Sequence, residues 1–137
     1  FDSSMFGARF DFFLARSIWT HAAKGQIVLM LDAFVRDSLP TSVLLASYIP
    51  TTSPDPAYQA RLTAANFPPR EDDGYAGERW VGTSHESSTP GMIQHSLRWI
   101  REQCAARALA VTEMPGVDCD GQIWLRVQHD RAPVAPD

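Results

Sequence analysis

The four histidines His21, His85, His95 and His129, and the two cysteines Cys104 and Cys119, are the side chains of this sequence best suited to ligate a metal, move a proton or form a covalent bond. His85-Glu86 followed by His95 is the one local cluster. Its spacing fits neither the helical His-Glu-x-x-His zinc pattern nor a cysteine–histidine finger, so no metal site is expected. His95 comes two residues after Ile93, off the apolar stripe of the helix expected there, and reads as a solvated polar residue. Because an unperturbed imidazole titrates at about pH 6.5, His85 and His95 stand as candidate pH-responsive residues.

Cys104 is expected on an amphipathic helix and Cys119 in the turn Met114-Pro115-Gly116-Val117-Asp118-Cys119-Asp120-Gly121. The connection is short enough for the turn to fold back and form a disulfide. Such a bridge closes a loop of roughly 16 residues and contributes about 3 kcal/mol on the chain-entropy model. It persists only in an oxidising compartment. The alternative is a pair of unpaired thiols. Asp118-Cys119-Asp120-Gly121 begins like a calcium loop, but the twelfth position is His129, where a bidentate glutamate is required. A hairpin turn in which Asp-Gly supplies the backbone angles accounts for it better. Gly82-Thr83-Ser84-His85-Glu86 lacks the second glycine of a hydrolase nucleophile elbow. Cys104 faces a core rather than a cleft, and the sequence has no glycine-rich phosphate loop. No catalytic residue and no cofactor are expected.

Composition narrows the class. The 137 residues, 45% hydrophobic and 20% charged, fit one globular domain over 1–137 with a packed core. A net charge of -4 argues against a nucleic-acid or anionic-membrane surface, which needs a basic excess. Nothing in the sequence approaches the roughly 18 consecutive apolar residues of a membrane span. Glu71-Asp72-Asp73 and Asp55 make an acidic surface, read as a solvated loop.

The elements that must position these residues follow from periodicity. Apolar residues from Phe10 to Val35 predict a long N-terminal helix over 8–38, with Gly25 at a kink or a junction and Pro40 ending it. A buried strand over Gln26–Val35 is the alternative. Ser42–Tyr48 reads as a strand, and Asp55-Pro56 as the cap and first turn of a helix running to about Asn66. Glu78–Gly82 is a short strand. From Thr89-Pro90 the stripe Ile93, Leu97, Ile100, Cys104, Ala108 predicts a further helix. Leu109–Met114 and Gln122–Gln128 make a closing hairpin, and His129–Asp137 a loose tail or linker. The expected fold class is α+β: a long N-terminal helix packed with shorter helices on a small, mostly antiparallel sheet that ends in the C-terminal hairpin.

Leu97–Ala108, Leu109–Thr112, Pro115-Gly116-Val117 and Ile123-Trp124-Leu125-Arg126-Val127 together resemble the extracytoplasmic sensor domain of bacterial two-component histidine kinases of the EnvZ/RisS type. The resemblance covers about a quarter of the chain. Asp118–Gly121 is an insertion relative to it, and it carries over no ligand residues. It implies a non-enzymatic, periplasm-facing sensory domain of an inner-membrane protein, detecting a small ligand, ion, pH or partner. Membrane-linked helices on flanking segments would pass the signal on as a homodimer. The phenylalanines Phe6, Phe10 and Phe13 are then the candidate dimer or membrane-proximal surface. Two other readings stay open: a pilin-like or secretion-system subunit with a C-terminal disulfide, and a small soluble partner-binding protein.

Overall fold

The computed structural model describes residues 3–71, 74–76, 91–119 and 121–130. Its first unit is β1 (Phe10–Ala15), α1 (Lys24–Asp37) and β2 (Ser38–Pro50), with β1 parallel to β2. Parallel neighbours need a crossover, and α1 supplies it. The aromatic run Phe-Asp-Phe-Phe-Leu-Ala suits a pleated surface, and Phe13 and Ala15 turn inward while Phe12 and Leu14 turn out. The long N-terminal helix expected over 8–38 is therefore replaced by a strand, a turn and a 14-residue helix. Gly25 lies in the first turn of α1 rather than at a kink. The Gln26 side chain covers that end, its Oε1 accepting the Ala23 N–H at 2.9 Å. Asp37 is buried at the other end. Arg36 donates to it at 2.9 Å and the Ser3 hydroxyl also donates to it.

The middle of the chain follows its local signals more closely. In α2 (Pro56–Ala64) the Asp55 carboxylate accepts the Ala57 N–H at 2.9 Å, and Tyr58 and Leu62 are buried. A short pair, β3 (Gly74–Ala76) and β4 (Met92–His95), precedes α3 (Leu97–Ala105). The helix expected from Thr89-Pro90 thus starts at Leu97, capped by Ser96 Oγ, which accepts the Trp99 N–H at 3.3 Å. Ile93 belongs to a strand, and its fit to the helical stripe was a coincidence of spacing. Ile100 and Cys104 do face the core. The expected strand Glu78–Gly82 and the Thr89-Pro90 helix start lie outside the described residues, as does 131–137. The hairpin β5 (Leu109–Cys119) and β6 (Gln122–His129) forms as expected and runs longer, with His129 paired to Leu109 rather than loose.

The sheet runs β3-β4-β2-β6-β5, and β1 also pairs with β2. β6 occupies one edge of β2 over Val43–Tyr48. β1 and β4 stand end to end along the other, β1 beside Val43–Ala46 and β4 beside Ile49 and Pro50. Both are parallel to β2 while β6 is antiparallel. The sheet is therefore mixed, built on a strand–helix–strand crossover, which overturns the expected antiparallel α+β arrangement. Local periodicity reports which residues are buried but not the direction of the neighbouring strand.

One face of this sheet carries the core. Leu44, Ala46 and Tyr48 of β2, with Leu125 and Val127 of β6, pack beneath Ile27, Leu31 and Phe34 of α1 and Ile100 and Cys104 of α3. The other face is open beside β1, although Ser47 and Ile49 further along β2 are buried. Phe12 and Leu14, paired with Val43 and Leu45, are 53% and 58% exposed. Among the described residues, every exposed large apolar side chain lies between Met5 and Val35.

Candidate functional site

The turn that follows β1 is held in an unusual backbone. Ser17 has φ 54°, a left-handed conformation that costs a non-glycine residue about 1 kcal/mol or more. Side chains from two other strands hold it there. The Ser17 N–H donates to Ser47 Oγ at 2.7 Å, and Gln122 Nε2 donates to Ser17 Oγ at 2.9 Å. The Ser47 hydroxyl donates to Gln122 Oε1 at 2.7 Å, closing the set. The Thr20 hydroxyl donates to the Ser17 carbonyl at 2.9 Å. Beneath the turn, the fully buried Trp19 donates its indole N–H to Met30 Sδ at 3.1 Å.

β4 fixes the same turn from the other side. The Ile93 N–H donates to the Thr20 carbonyl at 2.7 Å. His95 Nε2 lies 2.9 Å from both the Trp19 and Ala22 carbonyls, and His21 Nδ1 lies 2.7 Å from the Gly91 carbonyl. A carbonyl can only accept, so the proton sits on Nε2 in His95 and on Nδ1 in His21. Neutral His21 therefore keeps its lone pair on Nε2, on an exposed ring. The turn opens on a cavity of about 510 Å³ lined by Ser17, Ile18, His21, Gln26, Leu29 and Met30, among others. It lies at the carboxyl end of β1, where open α/β sheets place their ligands, and its size suits a small molecule. Its wall can cover an apolar surface and offers one imidazole nitrogen able to take a proton.

A second cavity, of about 500 Å³, lies past the carboxyl end of β2, between the Thr52–Asp55 loop, α2 and the β5–β6 hairpin. Here the Tyr48 hydroxyl donates to Glu113 Oε1 at 2.7 Å and the Tyr58 hydroxyl to the Gly121 carbonyl at 2.6 Å. Burial pushes the Tyr48 hydroxyl far above its usual range, and the Glu113 charge adds to this. Burial pushes Tyr58 up to about 12, against the nearby Arg61 charge. The Arg61 guanidinium sits 5.4 Å above the Tyr58 ring.

The residues singled out from the sequence are not brought together. His85 lies outside the described residues. His95 is fully buried, not solvated, and stacks on Trp99 at 6.1 Å. Cys104 is a buried free thiol, raised to about 11 by burial, with Arg107 acting in the opposite sense. The side chain of Cys119, its expected disulfide partner, lies outside the described residues. Phe6 is exposed and Phe10 half-buried, while Phe13 packs edge-on against Phe34 at 5.1 Å. No group of three or more metal-ligating side chains converges among the described residues. Sequence reasoning missed Ser17, and it named His21 among the four histidines without setting it apart from the others. The one local hint was a polar, histidine-bearing stretch, Ser17-Ile18-Trp19-Thr20-His21, directly after an aromatic run.

No protein-family model matches the sequence, and no curated protein matches it either. Solved structures do. The glycopeptide N-methyltransferase MtfA, in complex with S-adenosyl-L-methionine, superposes with a TM-score of 0.55 at 7% identity over 89% of this chain and 58% of that one. An O-methyltransferase family protein from Burkholderia thailandensis gives 0.52 at 16% identity over 90% of this chain and 31% of that one. The fold is methyltransferase-like. This chain spans less than two thirds of the structures it matches.

That fold overturns the histidine-kinase resemblance, which rested on a late helix and a hairpin that a methyltransferase-like sheet also contains. The periplasmic, membrane-anchored placement and the signalling role rested on the same resemblance and fall with it. The pilin-like and soluble partner-binding alternatives find no support either. The non-enzymatic expectation is likewise corrected, because the matched structures are of methyltransferases. No helix among the described residues is long and apolar enough to cross a membrane.

Proposed function

We propose that this chain forms the acceptor-facing part of an S-adenosylmethionine-dependent methyltransferase. The observation that carries this reading is the cavity at the carboxyl end of β1, on a turn locked by Ser47, Gln122 and β4, within a methyltransferase-like fold. The cofactor has an adenine, a ribose diol and a charged amino-acid end. Against these, the described wall offers Ile18, Leu29 and Met30, one imidazole, the Gln26 amide and an already bonded serine. No carboxylate and no glycine-rich turn lines this cavity among the described residues. The residues present thus make one wall and do not complete a cradle for the cofactor.

The other wall is assigned to a further α/β unit that adds a strand to β1. Parallel strands are ordinarily covered on both faces. Yet Phe12 and Leu14 are exposed on a strand whose outer edge has no partner among the described residues. His21 Nε2 is the group positioned to take the proton that an O–H or N–H nucleophile gives up. The test is calorimetric titration of S-adenosylhomocysteine into the product of the complete native gene, followed by a methyl-transfer assay with labelled donor. Micromolar binding is expected. His21→Ala should slow transfer at saturating donor by about 10²–10⁴-fold, the usual worth of a general base. A complete gene product that binds no cofactor would overturn the reading.

A further inference from the structure

The cavity past β2 has no part in the methyl-transfer reading, and its chemistry differs from that of the first. Its apolar surface comes from the Tyr58 ring, Met114 and Ile123. Glu113 pairs in register with Leu125, which places its side chain on the helix-covered face with Tyr48 and Ile123. The Tyr48 hydroxyl occupies one position on Oε1. A carboxylate offers about four acceptor sites, and no cation pairs with Glu113 among the described residues.

The remaining polar groups are largely committed. Asp55 caps α2, the Tyr58 hydroxyl is spent on Gly121, and Arg61 lies over the Tyr58 ring. Two carboxylates and one guanidinium line the cavity, and the charge of Arg101 reaches Tyr48 from outside that lining. What it has to offer a ligand is acceptor capacity beside apolar surface.

We propose that this cavity binds a primary amine carried on an apolar or aromatic body, with the ammonium on Glu113 and the body against Tyr58, Met114 and Ile123. A charge-assisted bond to a half-buried carboxylate is about twice as strong as a neutral one, so the site discriminates an ammonium from an alcohol of the same shape. The assignment stands independently of methyl transfer.

The test titrates 2-phenylethylammonium and its neutral counterpart 2-phenylethanol into the isotope-labelled protein, followed by amide chemical shifts. The amine should shift Thr52–Asp55 and Glu113–Gly116 saturably, and the alcohol should bind about tenfold more weakly or worse. Glu113→Gln keeps an acceptor oxygen for Tyr48 and should weaken amine binding by a similar factor. Arg61→Gln, at an exposed position, should tighten it by about threefold, the effect of one screened charge. Equal binding of amine and alcohol, no response to removing Arg61, or shifts confined to other surfaces would each overturn the proposal.

Discussion

Two histidines on opposite sides of one turn illustrate how a backbone carbonyl decides the chemistry of a ring. His95 spends its Nε2 proton on the Trp19 and Ala22 carbonyls and is sealed in the core. His21 spends its Nδ1 proton on Gly91 and keeps the opposite nitrogen unspent on an exposed ring that lines the cavity. Replacing His95 with alanine takes the imidazole donor from the Trp19 and Ala22 carbonyls, of which Trp19 keeps only the 3.4 Å bond from the Ala22 N–H, and removes a stacked ring. It should cost about 2–4 kcal/mol, read as a lower denaturant midpoint. Cys104 makes a contrasting prediction about reactivity. Its thiol is buried and raised to about 11, and the thiolate is the reactive form. Labelling by a disulfide reagent at neutral pH should therefore be slow in the native protein and fast in denaturant; rapid native labelling would contradict its placement. The sequence showed the histidines as titratable and Cys104 as core-facing. It could not show the roles of the histidines, because the partners that fix their protons lie 70 to 76 positions away.

At the scale of elements, legibility tracked how local the determining interaction is. Asp55-Pro56 announces α2 because cap and first turn are adjacent in sequence. Asp55→Ala should remove about 0.5–2 kcal/mol of stability, measurable by thermal or chemical unfolding. The β5–β6 hairpin was legible for the same reason. By contrast, β1 and α1 read as one helix because Phe10, Phe13 and Leu14 satisfy a helical spacing as readily as an alternating one. What separates them is the pairing of β1 with β2, about 30 residues on. β4 was absorbed into the helix that follows it, since a four-residue strand carries too little pattern to compete. The Ser17–Ser47–Gln122 set joins three elements, and no spacing in the sequence signals it.

For the molecule as a whole, ionisation sets two limits on stability. The Arg36 and Ser3 hydrogen bonds hold the Asp37 carboxyl below its ordinary value of 3.8, against the opposing effect of burial. Its contribution is present above about pH 4 and is lost as the pH falls through the lower folded value. Tyr58 works at the other limit. Its folded value is about 12 against an ordinary 10.0, so its contribution is whole below pH 10 and is lost as the pH rises toward 12. Thermal midpoints measured across pH should fall at both ends, with Asp37→Asn reducing the acid slope and Tyr58→Phe the alkaline one. The open sheet face makes a third prediction. If Phe12 and Leu14 are covered by a further unit, Phe12→Asp with Leu14→Asp should leave this chain folded but stop that unit from joining it, read by size-exclusion chromatography.

The end-to-end placement of β1 and β4 has its own consequence. Two short strands abut along one long neighbour, so the sheet has a seam where a continuous strand would otherwise run, and the cavity at the end of β1 opens beside it. Trp19 and Ala22, which belong to the helix-covered core, lie at that seam and are tied to β4 through His95. A shift of β4 along that seam would therefore move together the Gly91 carbonyl, the imidazole it orients and the buried Trp19 and Ala22. In such a design the mouth and the framework are geared to each other, and neither is reshaped alone.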